Sequence, residues 1–170
     1  MKKEIFVGLI AILLLATPVF AQQQIRGIFP DNPLYFLDKI AERIQMFLTF
    51  DKAEKVKLHM QFVEERIEEV YVMEIREKPE FIDPLVTEME MEREMAEDKL
   101  DEMKALGQNI TALEHDVYEK ASQHTAVLER VKEMVPEQHR GPIEVAIDKS
   151  QQYMEHVQES VSSPCYECGD

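Results

Sequence analysis

DKAEKVKLHMQFVEERIEEVYVMEIREK, residues 51–78, sets Val56, Met60, Val63, Ile67 and Val70 four and three positions apart among charged neighbours. Side chains at that spacing share one face of an α-helix, so the stretch predicts a long amphipathic helix with one apolar seam. Asp51 is placed to cap its start, and Pro79 to end it. A helix of this length spans nearly ~40 Å at ~1.5 Å per residue. It cannot bury its seam alone and needs neighbours of the same kind.

The following chain supplies them. Ile82, Val86, Met89, Arg93, Ala96, Leu100 and Met103 repeat the rhythm, and Gly107 stands where a helix C-terminal cap belongs. Thr111 with Glu114 has the form of a capping box, ahead of Leu113, Val117, Ala121, His124, Leu128, Val131 and Val135. Pro136, Gly141 and Pro142 then punctuate the chain before a last seam of Ile143, Ile147, Ser150, Met154, Val157 and Val161. On the upstream side, Asn32 and Pro33 suit a helix start. Leu34, Leu37, Ile40, Ile44 and Phe47 then mark a short amphipathic helix, its apolar face widened by Phe36, Leu48 and Phe50. Phe36 and Phe47 are expected to pack it as a lid on the long helices.

No useful period-two alternation occurs, so strands are not expected. The sequence predicts an all-α, antiparallel helical bundle with one short N-terminal helix and about four longer ones. Its four-three seams also permit coiled-coil-like packing.

MKKEIFVGLIAILLLATPVFA, residues 1–21, has the basic start, apolar run and small-residue end of a secretory signal peptide. The apolar run from Ile5 to Leu15 falls short of the ~20 residues that span a bilayer, so no stable membrane span is expected after cleavage. Residues 22–32 read as a linker, 33–162 as the bundle and 163–170 as a flexible tail. The net charge of −15 repels nucleic-acid backbones and anionic headgroups, and the leader contributes net positive charge to that figure.

Candidate chemistry is sparse. Glu64, Glu65, Glu68 and Glu69 read as a solvated helix face. His124 alone among the histidines falls on a seam; with Arg93 and Ser150, on neighbouring seams, it makes a candidate buried polar layer that would set register. MEMEREM carries Met89, Met91 and Met95, thioethers that suit copper but more commonly fill core gaps. Asn109, Ile110 and Thr111 form a glycosylation sequon. Cys165 and Cys168, the chain's two cysteines, are a disulfide candidate in an oxidising compartment. They are also a metal candidate if His156 or a second chain completes four ligands.

FPDNPLYFLDKIAERIQMFLTFDKAEKVKLHMQFVEERIEE, with its Pro-Asp-x-Pro-x-Tyr-x-Leu opening, resembles an uncharacterised family of exported archaeal and bacterial helical proteins, a domain of unknown function. HTAVLERVKEMVPEQHRGPIEVAIDKS is similar to that family's second half, and together the likeness covers residues 29–151. The resemblance implies a small envelope-exposed helical module, in some bacterial relatives attached to anti-sigma-type regulators, with no cofactor or catalytic residue. The expectation is a non-enzymatic exported protein acting through protein contacts in the cell envelope, with a partner or by self-association through helix faces. The alternative is an extracytoplasmic metal-buffering or metal-sensing protein.

Overall fold

A computed structural model describes residues 28–162, with side chains to residue 158. The leader, the first part of the linker and the cysteine tail lie outside the described residues. Among the described residues five helices follow one another: α1 (Tyr35–Leu48), α2 (Lys52–Ile75), α3 (Ile82–Ala105), α4 (Thr111–Met134) and α5 (Arg140–Ser162). No strand occurs among the described residues. Short 3₁₀ turns at Pro79–Phe81 and Glu137–His139 lead into α3 and α5.

Each connection reverses the chain, so consecutive long helices run antiparallel. The α2–α3 hairpin packs on the α4–α5 hairpin, with α2 beside α4 and α3 beside α5. Lys120 reaches Glu64 across the first pair of neighbours at 3.2 Å, and Lys149 reaches Glu94 across the second at 2.9 Å. The seams read from the sequence meet in the middle. Val63, Ile67, Val70, Ile82, Val86, Met89, Leu128, Val131 and Ile143 belong to one apolar cluster. Val56, Met60, Ala96, Leu100, Met103, Leu113 and Val117 belong to a second.

The helix ends follow local chemistry. Asp51 accepts from Glu54 N at 2.9 Å and caps α2. Gly107, at φ 69°, closes α3 by donating its N–H to Lys104 O, while Gln108 N donates to Met103 O; only a left-handed residue permits that pair of bonds. The end of α2 has the same two bonds, from Glu77 N to Glu74 O and from Lys78 N to Met73 O. There a glutamate holds the left-handed position, at φ 56°. Two expected caps differ. Asn32 sits ahead of the helix start: its Oδ1 accepts from Leu34 N at 2.9 Å, and α1 begins at Tyr35. Thr111 is already helical, so the Thr111–Glu114 box does not form, and Thr111 N donates to Asn109 Oδ1 at 3.3 Å.

The segment entering α1 is tied down. Phe29 is buried in the first apolar cluster under the Arg76 guanidinium, 4.6 Å from its ring centre. Asp31 bonds Arg76 at 2.6 Å and Lys78 at 3.0 Å.

Candidate functional site

The lid expected of α1 is turned over. In a helix of 3.6 residues per turn, Tyr35, Lys39, Glu42 and Met46 share one face, and Phe36, Leu37, Ile40, Ile44, Phe47 and Leu48 share the other. The first face meets the bundle; Glu42 is its buried residue. The second faces water, with Phe36 56 % exposed, Phe47 78 % and Phe50, just past the helix end, 85 %. The periodicity seen in the sequence is present, but its apolar side points away from the core.

What holds α1 down is polar. Arg66 of α2 is 0 % exposed and lies under the helix. Its Nη2 donates to Glu42 at 2.6 Å, and its Nη1 donates to the Tyr35 hydroxyl at 2.9 Å and to Glu88 at 3.2 Å. Its Nε lies 3.0 Å from Glu69, an ionic contact that misses the angle of a hydrogen bond. Tyr35 in turn donates to Glu69 at 2.9 Å, and Lys39 bridges Glu42 and Glu88 at 2.7 and 2.9 Å. Unlike its neighbours Glu64 and Glu68, Glu69 is therefore buried rather than part of a solvated face.

Burial pushes the Glu69 carboxyl up to about 7 against the opposing pull of Arg66. Burial works against Arg66 as well, but the Glu69 and Glu42 carboxylates outweigh it and raise its pKa. Burial raises Glu88, yet its bond to Lys39 prevails and holds it below the usual carboxylate range. The cluster sets the Arg66 and Lys39 cations among the carboxyls of Glu42, Glu69 and Glu88 under a helix, an arrangement suited to fixing α1 in place.

Mid-bundle, Arg93, His124 and Ser150 border one cavity of about 10 Å³, the room taken by a single water probe. All three are buried, but none of them bonds another of the three. Ser150 accepts from Thr125 at 2.9 Å, and Arg93 pairs with Glu90 at 3.0 Å and with Glu97. His124 Nδ1 has no hydrogen-bond partner. Burial lowers its pKa to about 4, with Glu64 opposing and Lys120 assisting.

The remaining candidates lie apart. His156 is exposed on α5, and Asn109 is exposed in the α3–α4 loop. Cys165 and Cys168, the other members of the metal and disulfide candidates, lie outside the described residues. Among the described residues no three His, Cys, Asp or Glu side chains are grouped to hold a metal ion, and no helix is long and apolar enough to cross a membrane.

Sequence reasoning missed Arg66, Glu42 and His59. Arg66 sits next to the seam residue Ile67, and Glu42 lies on the polar side of an amphipathic helix; nothing local distinguishes either from a solvated charge. His59 precedes the seam residue Met60, is buried, and bonds Glu92 through Nδ1 at 2.7 Å.

The family model described as "Domain of unknown function (DUF5667)" matches residues 27–138. No curated protein and no solved structure matches the chain.

Proposed function

The chain belongs to the DUF5667 family, whose description names no activity, and from that premise we propose a non-enzymatic, exported protein that works by contact with a protein partner in the cell envelope. The observation that carries this reading is the outward apolar face of α1. Leu34, Phe36, Leu37, Ile40, Ile44, Phe47, Leu48 and Phe50 are each exposed by 44 % or more. With ~200 Å² for a whole phenylalanine side chain, they leave on the order of 800 Å² of apolar surface in water. That exceeds the ~300 to 600 Å² of the largest patch on a typical monomer, and it equals the ~800 Å² each partner contributes to a stable interface.

A helix presenting apolar side chains at three- and four-residue spacing fits an apolar groove. The charge of −15 favours a groove with a basic rim over a second, equally acidic copy. Export rests on the leader-like residues 1–21.

The test is a photo-crosslinking residue at Phe47, with Gln151, exposed on α5, as the control position, in cells that make the protein. The reading requires one discrete adduct from position 47 that disappears with Ile44→Glu, while the purified variant melts as the parent does. Adducts indistinguishable from those at position 151, or insensitive to Ile44→Glu, would overturn it. An adduct of twice the chain mass would replace the partner with a second copy.

A further inference from the structure

Beside the inner face of α1, between α2 and α3, runs a groove with an unusual set of donors. Met46 of α1, Met91 and Met95 of α3 and His59 of α2 all line it. Met91 and Met95 are one turn apart, and they are 47 % and 48 % exposed, so they are not filling the core. Met60, Met73 and Met89, in contrast, are buried in the bundle. The His59 ring is held by its Nδ1 against the Glu92 carboxylate at 2.7 Å. A carboxylate on one ring nitrogen is the arrangement that orients a histidine to ligate metal through the other.

We propose that Met46, Met91, Met95 and His59 Nε2 form a binding site for a soft monovalent cation, Cu(I) or Ag(I). Thioethers select such ions, whereas calcium, magnesium and zinc prefer oxygen, imidazole or thiolate donors. Three neutral sulfurs and a neutral imidazole leave a bound monovalent ion with its single charge, and Glu92, one bond behind His59, supplies the compensating anion. Of the two cations that line the groove, Lys39 is neutralised by Glu42 and Glu88, and Arg43 is exposed. The unbranched methionine side chain has two rotatable bonds ahead of its sulfur, so each sulfur can swing to meet the ion without moving the helices. The site is independent of the contact reading given above, since it uses the groove beneath α1 rather than its outer face.

The experiment uses the full chain carrying Cys165→Ser and Cys168→Ser, so that the terminal thiols do not compete. Methionine methyl groups are ¹³C-labelled and silver nitrate is titrated in chloride-free buffer. The methyl resonances of Met46, Met91 and Met95 are expected to shift to an endpoint of one ion per chain, while those of Met60, Met73 and Met89 stay in place. Affinity for Cu(I), read by competition with a chromogenic chelator, should fall at least ~100-fold in Met91→Leu/Met95→Leu, since outer partners of metal ligands alone account for ~10- to 100-fold. Because both residues are exposed, that variant should melt with the parent. Equal shifts of core and groove methionines, no shift at all, or an affinity unchanged by the double substitution would overturn the site.

Discussion

Glu42→Ala tests whether α1 is attached by charge rather than by apolar packing. The substitution removes the shortest of the contacts to Arg66, at 2.6 Å, and also a partner of Lys39. Breaking a buried ion pair from one side costs about 3 to 5 kcal/mol, because the remaining charge is left without compensation. Glu69 and Glu88 still face the guanidinium, so the lower end, about 3 kcal/mol, is expected. At 1.36 kcal/mol per factor of ten, the local opening of α1 becomes ~100-fold more frequent. Hydrogen exchange followed by mass spectrometry reads this directly. Peptides from residues 35–48 should lose about two decades of protection, while peptides from the buried middle of α3 keep theirs, because the seams of α2 to α5 do not depend on α1. Glu42→Gln, which keeps a hydrogen-bond acceptor without the charge, should fall between. Unchanged exchange in α1 would show that something other than this cluster holds it; parallel losses in α1 and α3 would show that α1 is part of the core.

Phe36→Ala and Phe47→Ala should each change stability in chemical denaturation by no more than about 0.5 kcal/mol, as exposed positions do, whereas burial would have made them cost about 3 to 5. His124 should shape the acid limb of stability. With its folded pKa near 4 and an unfolded value of ~6.5, its contribution is complete above pH 6.5 and is lost as pH falls towards 4, by about 3 kcal/mol in all. Denaturation curves of His124→Gln between pH 7.5 and 4 should lack that loss relative to the parent, and parallel curves would refute the buried neutral imidazole. Gly107→Ala meets open space but a left-handed backbone, so it should destabilise by about 1 kcal/mol. Glu77→Gly should do the opposite, by up to about 1 kcal/mol, at the matching turn; equal signs in thermal melts would show that φ does not govern the two sites.

The long helices were legible because each seam is a contrast between neighbouring residues in one segment, and contrast survives without knowledge of the partner. From Val56 to Val70 and from Ile82 to Met103, every expected position is buried, and Leu58, His59, Phe62, Arg66, Glu69 and Leu85 are buried beside them. Arg93, His124 and Ser150 stood out for a related reason, as polar side chains interrupting apolar rows. The orientation of α1 was not legible. Periodicity divides that helix into two faces but does not say which one meets the bundle, and that choice is made by Arg66, 24 residues beyond its partner Glu42. An arginine among glutamates carries the same local signal whether it is solvated or buried. The Met46, Met91, Met95 and His59 groove was hidden in the same way, since it draws donors from three helices and the sequence shows only the Met91–Met95 spacing.

The attachment of α1 has a thermal consequence. Releasing it uncovers charged and phenolic groups, while its large apolar side chains are already in water. The step therefore carries little of the positive heat capacity that accompanies apolar exposure, and little of the sensitivity to urea that scales with newly exposed area. The penalty for keeping ions out of water also falls as temperature rises, while apolar stabilisation levels off. On warming, the hold on α1 strengthens relative to the core that supports it, so a heated molecule should keep its first helix in place until the bundle beneath it gives way.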